Sequence, residues 1–118
     1  MNGDQFRKLA LSLPDASEAP HFDRAAFRTP NRIFATLSAD EQSVNLKLEP
    51  DQQAALVESR SAAFEAIAGG WGRQGWTTMT LAKVSVAEAR SVLADAHALA
   101  SIERRPRAKA KRAAKRKR

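Results

Sequence analysis

Between Asn2 and Pro14 the apolar residues Phe6, Leu9, Ala10 and Leu13 recur at the i, i+3, i+4, i+7 spacing of one buried helix face. Asn2 offers a side-chain oxygen to the free N–H groups of the first turn, and Pro14 ends the run. A second helix is expected from Pro50, where a missing N–H does no harm, through DQQAALVES, with Ala54, Leu56 and Val57 facing inward. The third has the plainest start. Ser85 and Glu88 have the S-x-x-E spacing of a capping box, ahead of Val86, Ala89, Val92, Leu93, Ala96, Leu99 and Ala100.

Between these helices lie AAFRT (25–29), RIFATLS (32–38), SVNLKLE (43–49) and WTTMTLAKV (76–84), rich in β-branched and aromatic residues and several with period-two alternation. TPN and SADEQ punctuate them as turns, so they read as an antiparallel meander. The order is helix, three or four strands, helix, one or two strands, helix. That order implies an α+β fold, a twisted antiparallel sheet with helices packed on one face.

The chain has 118 residues, 43% of them hydrophobic, which is enough for one modest core. It has no cysteine, so disulfides and thiolate metal sites are excluded. Neither a signal-peptide pattern nor a run of roughly 18 apolar residues occurs, and the expected location is cytoplasmic, with no membrane span.

Charge divides the chain in two. Residues 103–118, ERRPRAKAKRAAKRKR, hold ten Lys/Arg and one acid, whereas residues 1–102 hold ten and twelve. The formal charge of +7 therefore describes the tail, since the body alone is about −2. Pro106 disfavours helix before it, and no aliphatic residue larger than alanine follows. We read 1–102 as a single α+β domain and 103–118 as a basic tail, disordered alone.

Four segments carry a resemblance: FRKLALSLPDASEAPHF at 6–22, RIFATLS, VNLKLEPDQQAALVE, and GGWGRQGWTTMTL at 69–81. In order and spacing, over roughly residues 4–100, the chain resembles the MmcQ/YjbR family of small bacterial proteins. The resemblance implies a CyaY-like, YjbR-like α+β fold and a double-wing mode of DNA binding, and it brings no established enzymatic activity. The basic tail lies outside the shared pattern.

GGWGRQGW gathers four of the five glycines and both tryptophans. It lacks the lysine of a P-loop and the strand-to-helix setting of a dinucleotide fingerprint, so no nucleotide cofactor is expected. Two readings stay open. In one, Gly69, Gly70, Gly72 and Gly75 permit positive-φ turns while the indoles pack over the sheet edge. In the other, the segment is an exposed wing carrying Arg73 and Gln74, with Trp71 and Trp76 stacking on bases or packing on sugar.

Further cations for such a wing are Arg24, Arg28 and Arg32 around the first hairpin, and Lys47 on the next strand. Asp23, Asp40, Glu41 and Glu49 are interspersed with them, so a solvated polar face is the alternative. Arg104, Arg105, Arg107, Lys109, Lys111, Arg112, Lys115, Arg116, Lys117 and Arg118 give the tail salt-sensitive affinity for a polyanion. His21 matches the HF pair of the family pattern and lies close to Arg24; His97 reads as a packing residue. Neither histidine has metal-ligand spacing, and no metal is expected.

For catalysis, Ser12, Ser17, Ser38 and Ser43 lack a nucleophile-elbow context. Asp15, Glu18 and Asp23 are the acids within reach of His21 for an acid–base group. The expectation is a monomeric, non-enzymatic nucleic-acid-binding module, for DNA rather than RNA, with wings on the body and affinity in the tail. The alternative is a small ligand- or protein-interaction domain whose tail localises or solubilises it.

Overall fold

The computed structural model describes residues 1–102, and the tail from Glu103 onward lies outside the described residues. Helix α1 (Gly3–Leu11) is followed by strands β1 (Ser17–His21), β2 (Arg24–Arg28), β3 (Ile33–Leu37) and β4 (Ser43–Lys47). Then come α2 (Pro50–Ser59), β5 (Phe64–Ala66), the single-turn α3 (Gly70–Arg73), β6 (Trp76–Thr80), a 3-10 turn (Leu81–Lys83) and α4 (Val86–Ala100). The strands form one antiparallel sheet in the order β1-β2-β3-β4-β6-β5.

The helix ends follow their sequence signals with one exception. Asn2 Oδ1 accepts from Gln5 N–H and Gln5 Oε1 from Asn2 N–H, so α1 has a reciprocal capping box. At α4, Ser85 Oγ accepts from Glu88 N–H, but the Glu88 carboxylate does not reach back. It binds Arg60 instead, through Nε and Nη2, because an ion pair outcompetes a bond to one exposed N–H.

The core forms on one face of the sheet. Phe27 on β2, Ala35 and Leu37 on β3, Val44 and Leu46 on β4, and Met79 on β6 are buried against Phe6 and Ala10 of α1 and Ala89, Val92, Leu93 and Ala96 of α4. Phe6 and Phe27 meet edge to face at 5.3 Å. The pairing shifts between Phe27 and Arg28, which face Ala35 and Ile33, so Phe34 stands in a bulge and turns its ring onto His97 of α4. His97 is buried and its Nε2 is 2.8 Å from the Pro14 carbonyl, the packing role expected for it.

Two expectations are corrected. Ala54 is exposed, and the buried residue of α2 is Gln53, whose Nε2 donates to Trp76 O and Thr77 Oγ1. WTTMTLAKV is a strand only as far as Thr80, beyond which it tightens into the 3-10 turn. Strand β1 is the fourth of the three or four strands expected before α2, on a segment that carries no strand signal: SEAPH is exposed along its whole length and contains Pro20, which an edge strand tolerates.

Candidate functional site

Residues alternate across a strand, so those between the core positions point to the opposite face, which α1, α2 and α4 leave uncovered. On that face His21 (β1), Arg24 (β2), Thr36 (β3), Asn45 (β4) and Trp76 (β6) come from five neighbouring strands. With Ile67 and Trp71 they line a recess of about 270 Å3.

One wall belongs to the first hairpin. His21 stands directly opposite Arg24 in the β1–β2 pairing. Arg24 Nε donates to Thr36 Oγ1 at 2.8 Å and Nη2 to Thr36 O at 3.1 Å, so the guanidinium is held over β3 rather than waving in solvent. Hydrogen bonds from the Ser38 hydroxyl and the Gln42 backbone N–H hold the Asp40 carboxyl below its ordinary range, and Arg24's charge adds to the effect. In the floor, Thr78 Oγ1 donates to Asn45 Oδ1 at 2.9 Å, while Asn45 Nδ2 is bonded to no described residue.

The opposite wall is the glycine-rich segment. Only Gly69 (φ 80°) and Gly75 (φ 109°) use the positive-φ backbone expected of all four glycines. Gly70 and Gly72 are helical, and Gly72 is required for space: a Cβ there would lie 1.6 Å from Ile67 O. The segment is thus a clamped helical turn rather than an open loop. It presents Trp71, 63% exposed, against the half-buried Trp76, with ring centroids 6.2 Å apart and planes at 74°. Trp76 packs as a strand residue, whereas Trp71 does not pack over the sheet edge.

The remaining body cations do not reach the recess. Arg28 and Lys47 lie on the same sheet face by the two-residue period, both half-buried, with Arg28 Nε donating to Thr29 O. Arg32 sits in the β2–β3 turn, where Thr29 N donates to its carbonyl, and its buried Nε has no partner among the described residues. Arg73 is exposed on α3. Arg104, Arg105, Arg107, Lys109, Lys111, Arg112, Lys115, Arg116, Lys117 and Arg118 lie outside the described residues.

Four residues at or beside this site were not singled out from the sequence, Ile67 among them. Thr36 and Asn45 are neutral and become visible only once strand alternation assigns them to the open face. Phe22, in the β1–β2 turn, is 95% exposed at φ 60° and meets His21 edge to face at 4.9 Å. A bulky side chain at positive φ is uncommon, and the HF pair was its one sequence signal.

No acid–base group assembles at His21. Glu18 is an odd number of residues away on β1 and points to the other face, where Arg7 Nε donates to it and Arg7 Nη1 to Glu41. A larger recess of about 550 Å3 lies there, lined by these mutually paired charges and by Asp23 and Arg24. Asp15 lies elsewhere, beside His97 and Pro14. Among the described residues no group of three or more His, Asp or Glu is placed to hold a metal, and no helix is long and apolar enough to cross a membrane.

Two solved structures share the fold. A Deinococcus radiodurans protein with a DUF419 domain aligns over 84% of this chain and 78% of its own, at 19% identity and a TM-score of 0.73. A Pseudomonas syringae protein aligns over 85% of this chain and 99% of its own, at 20% identity and a TM-score of 0.66. No functionally curated protein matches. The YjbR family profile matches residues 11–99, from the end of α1 through nearly all of α4, and therefore takes in the hairpin of His21 and Arg24, the glycine-rich turn and both tryptophans. The chain belongs to the YjbR family.

Proposed function

We propose that this protein is a cytoplasmic nucleic-acid-binding module, with DNA its first candidate ligand, and that it performs no catalytic step. The observation that carries this reading is the convergence of His21, Arg24, Trp71 and Trp76 on one recess in the uncovered sheet face. Arg28 and Lys47 extend that face with positive charge, against Glu65 as the acid its strands contribute. Cations fix a phosphate backbone and aromatic faces engage bases or sugars, and both kinds of group are present here.

The tail fits the same reading. Thr29 Oγ1 donates to Ala100 O and Asn31 Nδ2 to Ser101 O, so the end of α4 is tied to the β2–β3 turn that Arg28 and Arg32 flank. The ten tail cations follow Ile102 in the sequence. Body and tail then contribute separately, the one positioning and the other adding counterion release.

The test is fluorescence anisotropy with labelled DNA over a salt series. It compares the full chain, a chain whose ten tail Lys/Arg are replaced by Gln, and that chain with Arg24→Gln and Lys47→Gln. The tail-neutralised chain is expected to bind at low salt, and the added substitutions to abolish most of that binding. Loss of all binding on neutralising the tail removes the sheet face from the proposal. A full chain that ignores DNA at low salt refutes nucleic acid as the partner.

A further inference from the structure

We infer that the recess seats one unpaired base, so that the open sheet face takes single-stranded nucleic acid in preference to duplex. This rests on the nucleic-acid reading above and specifies its ligand. The argument starts from dimensions. The recess runs from β1 to β6 across five strands, and at about 4.8 Å between strands that surface is about 19 Å wide. The major groove, roughly 12 Å across, admits a helix or a two-stranded ribbon but not a five-stranded face. Base edges in a duplex therefore cannot reach the floor at Thr36 and Asn45, whereas a base splayed from a single strand can.

The lining suits a flat ring with polar edges. At about 270 Å3 the recess lies just under the lower end of small-molecule pockets, roughly 300 Å3, which is room enough for one base. Trp71 and Trp76 supply stacking surface, and Trp71 keeps most of its surface in water, an arrangement with an apolar cost that a stacked base would remove. Asn45 Nδ2 and the Thr36 hydroxyl hydrogen are donors at the floor, neither of them bonded to a described residue. Arg24 at the rim faces the phosphate that follows a seated base. Phe22, next to His21, offers a second exposed ring for a neighbouring base.

Trp71 and Trp76 are the only tryptophans and there is no tyrosine, so indole emission reports on this recess alone. The full chain is titrated with a short oligothymidylate, with a hairpin duplex of equal phosphate count, and with free thymidine monophosphate, while anisotropy of the labelled oligomers follows binding. The oligothymidylate is expected to quench emission and the duplex to bind with little quenching. Trp71→Ala should weaken the single strand roughly tenfold and leave duplex affinity within about twofold. Because Trp71 is mostly exposed the variant retains its fold, and Trp71→Phe should restore most of the affinity.

Equal quenching by duplex and single strand, or equal losses on Trp71→Ala, overturns the inference. Quenching by the mononucleotide at the same concentration as the oligomer also overturns it and makes the recess a small-ligand site. If both oligomers bind with emission unchanged, the seated base falls and the nucleic-acid reading stands. If neither oligomer binds at low salt, both fall together.

Discussion

Arg24 and Thr36 are joined twice across adjacent strands, by Nε to Oγ1 at 2.8 Å and by Nη2 to the backbone carbonyl at 3.1 Å. The pairing converts a long flexible cation into a fixed feature of the sheet surface, and the hydroxyl, only 7% exposed as part of Thr36, gives one of its two lone pairs to it. Thr36→Val keeps the shape and deletes one of the two acceptors. We expect a stability loss of about 1 kcal/mol in urea titrations, and an oligonucleotide affinity lower by roughly two- to fivefold as the guanidinium loosens. Unchanged affinity in a fully folded variant would mean that Arg24 is not a contact.

The glycines of the wall separate into two kinds. A Cβ at Gly72 would lie 1.6 Å from Ile67 O and one at Gly75 1.9 Å from Leu48 O, with Gly75 also at φ 109°, whereas a Cβ at Gly69 meets nothing within 4 Å. Gly72→Ala and Gly75→Ala should each cost about 3 kcal/mol or more, because the obstructing atoms are backbone. Gly69→Ala should cost only the backbone penalty of φ 80° with ψ −154°, about 1–3 kcal/mol. Thermal denaturation of the three variants gives the order directly, and a Gly69→Ala loss as large as the others would contradict it.

Acid stability has a visible contributor in the pair that ties α2 to α4. Arg60 Nε and Nη2 each donate to the Glu88 carboxylate at 2.8 Å, and these bonds hold Glu88 below its ordinary range. A depressed carboxylate stabilises the fold fully above its unfolded value, and that contribution disappears as pH falls through the folded one. Glu88→Gln should therefore lower stability near neutrality by at most about 1 kcal/mol, given the exposure of the pair, and flatten the decline on the acid side. Paired denaturation curves from neutral pH to pH 3 would show whether the two proteins converge.

Phosphate contacts and base contacts separate under salt. Arg28→Gln and Lys47→Gln should each reduce the magnitude of the slope of log affinity against log salt by about 0.7–0.9 and weaken all sequences alike. Trp71→Ala should lower affinity with the slope unchanged, because stacking releases no counterions. A slope that shifts with Trp71 and not with the cations would assign the roles the other way round.

Much of the fold was legible because its signals are local. Asn2 with Gln5, Pro50 and Ser85 mark helix starts through groups a few residues away, and the spacing of Phe6 and Ala10, or of Ala89, Val92, Leu93 and Ala96, names the faces that became core. Where local cues were absent, the reading failed. Strand β1 buries no residue, β5 has three residues, and α2 turns Gln53 inward to satisfy Trp76 O and Thr77 Oγ1, a demand that arises only once β6 is beside it.

The sequence by itself determined the inward faces of α1 and α4, the α+β class, the family and the separation of a near-neutral body from a strongly basic tail, since composition and short-range periodicity carry these. Only the tertiary structure decided that His21 and Arg24 share a recess with Trp71 and Trp76, some fifty residues further on, while Arg32 and Arg73 stay outside it. It also decided that Thr36 and Asn45 form the floor. Those neighbours are set by strand order and register: β6 inserts between β4 and β5, with Lys47 opposite Trp76 and Asn45 opposite Thr78. Ladder hydrogen bonds join backbones regardless of side chain, so pairing between distant strands leaves little trace in either strand's own residues.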